Sequence, residues 1–573
     1  MLKKFLKQYG WRYLPGAFFL LLNSYFAAWS PMFLGNAVNG LNAGVGQIDR
    51  DYVLTQTAYL IGAAVLIFAT RYCWRYFING NARNLEIFLR EGLFCKLQRL
   101  PASFYDSAQT GDLMALAIND IGAVRKTAGM VVANILTGVT SVLFSLQKMF
   151  VSIHPVLAFW ALLPVPFAVL SVVIIGGRVR KKYAGVQRQF ARLSGVIQED
   201  IMGMRVIKAF HREEPAAKAF IQQSDEMCGA NIDLANTSAW LNPLIQICFG
   251  VSFLISLTYG ANLVLRGELT VGELVAFNDY ILMMMAPVVS LGRVINSAAR
   301  GRASMKRLND IFSAPEIPAE EQQEYPHEIH GAISIRHLSY AYEADGREVL
   351  HDLCAEIPVG HTLGIIGETG SGKSTLVDLL LKFRTAPHGC IWIDGVDLCD
   401  IPAQAIRKAI GCVPQEEFLF DTSIAENIRF YEPDTDEDEI DRAADAGDLK
   451  KDLGRFAEGY LTPVGERGRH LSGGQKKRVV IARALVRKPK ILIFDDVLSS
   501  VDVNTEQRIL QNLHAAMQGK TCILISQRVS ALRDADEILY LENGRVAERG
   551  THRGLMTLGG KYAHMAEEQN ASG

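Results

Sequence analysis

The sequence predicts two domains in series, a six-span α-helical membrane domain and then an α/β domain. Three observations predict this. The N-terminal half contains six long stretches almost free of charge, and two equally long, basic loops separate some of them. From residue 329 onward the apolar pattern changes to alternation and then to short apolar runs between helix-like segments. Composition agrees, because 573 residues exceed one domain, and 49% apolar content with mean hydropathy +0.13 is high for a water-soluble chain. A net charge of −1 supplies no global basic field that would argue for nucleic acid, and no such partner is expected. The nine cysteines, at 73, 95, 228, 248, 354, 390, 399, 412 and 522, form no C-x-x-C pair, so they read as free thiols in a reducing compartment.

A bilayer core takes about 20 apolar residues as helix. Uncharged runs cover 13–48, 53–70, 127–147, 149–177 and 234–265, and a sixth, 274–292, is interrupted by Asp279 alone. The basic N-terminus "MLKKFLKQYGWRY" ahead of "AFFLLLNSYFAAW" imitates a signal peptide. Further spans follow it and the apolar run is long enough to cross. It is therefore expected to be an uncleaved first helix behind a short amphipathic piece on the cytoplasmic surface.

Residues 71–126 and 178–233 are each 56 long and carry eight and ten Lys/Arg, against about one in each short loop. The positive-inside rule puts both in the cytoplasm with both termini. Their mixed charge and few breakers predict that the membrane helices continue into them. Each holds one segment of different character, "LPASFYDSAQTGDL" (100–113) and "MGMRVIKAFHREE" (202–214), suited equally to docking on another domain or to an ordinary solvated turn. Asp279 is expected at the membrane interface and Lys148, at the end of the third span, as a snorkelling anchor. Pro287 is a candidate kink, and Met283, Met284 and Met285 read as lipid-facing.

Residues 313–328, "SAPEIPAEEQQEYPHE", are a linker, which gives domains at 1–312 and 329–573. In the second, "HTLGIIGETGSGKSTLVDLLL" reads as strand, glycine loop and helix, matching G-x-x-x-x-G-K-S. Small residues there let backbone N–H groups wrap phosphates, Lys373 adds a charge, Ser374 is placed to ligate Mg²⁺, and the helix dipole adds to both. The buried-strand sequence "ILIF" ends in Asp495, a carboxylate fit to hold the Mg²⁺ shell. Between them "LSGGQ" (Leu471, Ser472, Gly473, Gly474, Gln475) opens a helix and forms a second anion cradle that one chain cannot fill.

This ordered set, over essentially the whole chain, resembles a bacterial ABC exporter half-transporter: six spans followed by an α/β P-loop ABC nucleotide-binding domain. The resemblance implies an ABC-type transport ATPase with ATP and Mg²⁺. It assigns adenine stacking to Tyr342, and phosphate binding to Gly367, Thr369, Gly370, Ser371, Gly372, Lys373, Ser374 and Thr375. Gln415 in "CVPQEEFLF" would link Mg²⁺, held with Ser374 and with Asp495 through water, to the membrane domain. The signature would act in trans, Ser499 and Asp502 in "SSVD" would form the loop between two sites, and the segments 100–113 and 202–214 would be coupling helices.

Two positions depart from the family pattern. Asp496 stands where the family has the glutamate that polarises water, and Gln527 in "ISQR" where it has a histidine at the γ-phosphate. Aspartate is one methylene shorter, and a displacement of about 1 Å can cost ~10²-fold in rate. Glutamine cannot transfer a proton. The expected assembly is thus a heterodimer with a second half-transporter, like the asymmetric ABC exporters: this chain's own site holds ATP and its signature completes the partner's hydrolytic site. Membrane lipid and amphipathic drugs, lipids or peptides are the expected further partners. A slow homodimeric exporter and an ATP-gated regulator or channel are the competing expectations.

Overall fold

A computed structural model of the protein describes residues 1–41, 50–318, 321, 323–342, 346, 348–432, 434–497, 511 and 513–572. Ser499 and Asp502 lie outside the described residues. The chain divides into two compact units, one of Met1–Arg99 and Ala108–Pro315, the other of Leu100–Ser107 and Glu316–Gly573.

Among the described residues of the first unit, six helices are long and apolar enough to cross a membrane: Leu2–Leu41, Arg50–Gln98, Thr110–Ile153, Pro155–Met202, Glu213–Leu265 and Val271–Ser313. Both 56-residue loops are helical for most of their length. Short helices stand at their tips, Ala102–Ser107 and Met204–Ala209.

The uncharged run 149–177 does not begin a span at 149. The third helix continues through Lys148 to Ile153, and the fourth starts at Pro155. His154 is extended (φ −155°, ψ 117°), as a residue before proline prefers, and its side chain accepts the N–H of Leu157 to cap the new helix. The turn carries no charge, so segmentation by charge passes over it. The methionine run also differs from expectation. Met284 is buried at 4% exposure in a cluster with Leu157, Ala158, Ala161, Phe277 and Tyr280, and Met283 and Met285 pack against it. A flexible thioether fills irregular gaps between helices. The sixth helix runs unbroken through Pro287.

Phe5, on the amphipathic N-terminal segment, is fully buried among Leu85, Leu89, Leu93 and Leu308, so this segment packs on its own unit through one face. Where the first and sixth helices cross, a Cβ on Gly272 would lie 1.9 Å from the carbonyl oxygen of Gly35. Only glycine permits that approach.

Among its described residues the second unit holds ten strands: β1 Ile333–Ala341, β2 Glu348–Ile357, β3 Thr362–Gly367, β4 Ile391–Ile393, β5 Val396–Asp397, β6 Ile410–Val413, β7 Ile491–Asp495, β8 Thr521–Ile525, β9 Glu537–Glu542 and β10 Arg545–Gly550. An antiparallel sheet has the order β2-β1-β4-β5, and a mainly parallel one the order β10-β9-β3-β8-β7-β6. Every residue of β7 and of β8 is buried, as parallel strands covered on both faces require. Their continuous apolar runs leave polar chemistry to the strand ends.

Candidate functional site

The carboxyl ends of β3, β7 and β8 converge, the usual place for a ligand crevice in an open α/β sheet. The cleft there has a volume of about 280 Å³ and is lined by Tyr342, Val349, Thr369, Gly370, Gly372, Lys373, Ser374, Thr375, Gln415, Asp495, Asp496, Ile525, Ser526 and Gln527. Residues up to 185 positions apart in sequence thus meet in one place.

The loop after β3 is shaped by its glycines. Gly372, at φ +96°, precedes the helix Lys373–Leu380, and a Cβ there would stand 2.6 Å from Leu350 Cδ2 and 3.0 Å from the Val349 oxygen. Gly370, at φ +83°, has open space where its Cβ would point. Gly367 ends β3, and Ser371 is buried beside Lys373. The ammonium of Lys373, 9% exposed, donates to the carbonyls of Gly367 (2.8 Å) and Glu368 (2.6 Å) and to Ser371 Oγ (3.2 Å). Burial lowers its pKa, while Asp495 and Asp496 act in the opposite sense.

Ser374 Oγ donates to Asp495 Oδ2 at 3.2 Å. Burial raises the Asp495 pKa; the Ser374 hydroxyl and Lys373 pull it down, and the charge of Asp496 adds to the rise. Two neighbouring carboxylates, a hydroxyl and the Gln415 amide make an all-oxygen donor set, the kind that suits Mg²⁺. These oxygens gather beside the glycine loop, with Ser374 already in contact with Asp495, so the residues fit a divalent cation.

Asp496 is 8% exposed and has the left-handed φ of +51°; its N–H donates to the Ile525 carbonyl at 2.9 Å. The segment carrying Gln527 is clamped from the C-terminal helix. Gln569 donates to the Gln527 carbonyl (2.7 Å) and accepts the Val529 N–H (2.8 Å). The tyrosine hydroxyl of Tyr342 pairs with Thr375 Oγ1 at 2.8 Å.

Leu471, Ser472, Gly473, Gly474 and Gln475 are not part of this cleft. Ser472 caps the helix Gly473–Val486 by accepting the Gln475 N–H, and Gln475 accepts the Ser472 N–H in return. Ser472 and Gly473 are exposed, and no atom lies within 4 Å of a Cβ built on Gly473. The cradle thus opens to solvent.

The ABC transporter transmembrane region family matches residues 14–288, and the ABC transporter family matches residues 350–499. Over 568 residues the chain is 36% identical to the probable multidrug resistance ABC transporter ATP-binding/permease protein YheI of Bacillus subtilis (strain 168), covering 99% of this chain and 96% of that protein. The chain belongs to the ABC transporter family. It is 32% identical to the multidrug resistance-like ATP-binding protein MdlA of Escherichia coli (strain K12), over 97% of this chain and 94% of that one. A fatty acid ABC transporter ATP-binding/permease protein of Mycobacterium bovis is 32% identical, over 92% of this chain and 83% of its own. The solved structure of a bacterial Atm1-family ABC exporter with ATP bound aligns at TM-score 0.78 and 26% identity, over 98% of each chain. This ABC transporter is therefore an exporter half-transporter, a multi-pass membrane protein whose second domain is an ATP-binding, ATP-hydrolysing transport ATPase.

Spacing gave no sign of some of the residues around the exporter's cleft. Arg384 lies 4.6 Å over the ring of Tyr342, donates to Asp106 Oδ2 at 2.7 Å, and stands 3.5 Å from Asp378. Asp106 belongs to the short helix Ala102–Ser107, 278 residues earlier and part of the same compact unit. The other tip is bare of cover, with Met202 and Phe210 each 74% exposed and Val206 60%.

Proposed function

We propose that this half-transporter works as one side of a heterodimer, with its own site holding ATP and its signature completing a hydrolytic site built on the partner. One observation carries it: the cleft assembles Tyr342, Lys373, Ser374, Gln415 and Asp495 for grip, yet offers aspartate and glutamine where water must be aimed. Lys373 and the N–H groups of the glycine loop would hold the phosphates. Ser374, Gln415 and Asp495 would hold Mg²⁺, which when bound offsets phosphate charge. The exposed cradle at Ser472 and Gly473 and the exposed apolar side chains Met202, Val206 and Phe210 support a second chain, because both present binding surface.

In this scheme the domains are 1–312, a linker 313–328 and 329–573, and both termini face the cytoplasm of a bacterial cell. ATP favours closure of the paired nucleotide domains, and closure turns the membrane cavity outward. The relatives' names, multidrug resistance and fatty acid transport, support an amphipathic cargo: a drug, lipid or hydrophobic peptide. Purified alone, the full-length chain binds ATP with near-zero phosphate release. Rapid hydrolysis by the chain alone, abolished by Asp496→Asn, would falsify the split of roles and leave a homodimer.

The Arg384 contact supports the segment 100–113 as the part that senses nucleotide. An exposed or half-exposed ion pair contributes at most about 1 kcal/mol, so removing this one should leave the fold intact. Arg384→Ala and Asp106→Ala are expected to lower efflux of a fluorescent amphiphile from cells to a few per cent, on the order of the ~10²-fold effects of misplaced groups. Binding of a fluorescent ATP analogue should persist in Asp106→Ala. Unchanged efflux in both variants would remove this contact from the coupling route.

A further inference from the structure

Lys477 stands on the signature helix Gly473–Val486 and is 3% exposed. Its ammonium reaches two other segments. Nζ is 3.2 Å from the main-chain oxygen of Asp496 and 3.6 Å from Oε1 of Glu417. Glu417 follows Gln415, a lining residue of the cleft, by two positions. Asp496 has a left-handed φ, uncommon for a residue with a Cβ though less so for aspartate. The Ile525 carbonyl holds the N–H of Asp496 and Lys477 holds its carbonyl, so both ends of this residue are pinned.

Stability does not explain a lysine in such a place. Apolar residues of similar volume usually do as well as a buried ion pair, whose better-attested use is to specify one arrangement over others. Here the arrangement specified joins three segments: the one after Gln415, the one after Asp495, and the helix whose exposed first turn carries Ser472 and Gly473.

We propose that Lys477 is a positioning residue linking the chain's own ATP cleft to its signature, so that filling one nucleotide site is felt at the other. This rests on the signature serving the partner's ATP. A nucleotide drawing Gln415 inward displaces Glu417, and a phosphate group beside Asp496 shifts the peptide that Lys477 holds. Either movement pulls on the first turn of the signature helix and on its Ser472–Gln475 cap, with no need for a path through the membrane domain.

The test uses the full-length chain at one copy per lipid nanodisc, which removes any signature contact in trans. Amide hydrogen exchange at residues 473–478 is followed with and without ATP and Mg²⁺, beside a titration of ATP affinity. In the unmodified chain, nucleotide slows this exchange about fivefold or more, the lower end for coupled sites. Lys477→Met removes the response and leaves ATP affinity unchanged; Lys477→Arg, which keeps charge and donors, restores most of it; Glu417→Gln weakens it. A full response in Lys477→Met overturns the proposal, and so does ATP binding to the unmodified chain without any response at 473–478. Should Lys477→Met fail to fold, Glu417→Gln decides, since an undiminished response there overturns the link. No ATP binding at all by the unmodified chain would sink the nucleotide-site proposal, and this one with it.

Discussion

The double variant Asp496→Glu, Gln527→His is expected to release phosphate about a hundredfold faster than the unmodified chain when self-paired in nanodiscs, at unchanged ATP affinity. The added methylene lets the carboxylate reach a water in line with the γ-phosphate, and the imidazole restores a group able to carry a proton there. Lys373, Ser374, Gln415 and Asp495 already share the cleft with positions 496 and 527, and under the proposed roles the signature serves a second copy. Gln527→His alone should gain little, because proton transfer helps only once water is aimed. Phosphate release that stays at the unmodified level in the double variant would show that these two side chains are not what limits turnover.

Lys373→Met produces the opposite pattern, loss of grip. A hydrogen bond to a charged group is worth about 1.5–3 kcal/mol, so ATP should bind about 10- to 100-fold more weakly by fluorescence titration. In the structure the ammonium is held over the glycine loop by the Gly367 and Glu368 carbonyls and by Ser371, and burial has lowered its pKa. A phosphate can take over those contacts. Near-normal affinity in Lys373→Met would mean that the loop's backbone N–H groups alone bind the phosphates. Taken together, the two variants separate holding ATP from consuming it, the distinction on which the proposed heterodimer rests.

The turn at His154 and the burial of Met284 show where reading by pattern stops. An uncharged turn between two uncharged helices carries no charge signal, and whether a methionine meets lipid or protein depends on the neighbouring helix. Arg384 shows the same limit at the site. Nothing local marks it, since its partners Tyr342 and Asp106 come from 42 and 278 positions earlier in the chain.

What the amino-acid order determines here is chemistry whose cause is local: uncharged runs that need a bilayer, glycines that leave a loop open to phosphate, a serine that caps a helix, an aspartate one methylene short of a glutamate. Each follows from a few consecutive residues and their backbone. Folding alone decides which distant groups a charge meets, as with Lys477 against the Asp496 carbonyl and Glu417, or Arg384 against Tyr342 and Asp106. The physical reason is that the worth of a charge depends on its surroundings, and those surroundings exist only once the strands and helices have packed.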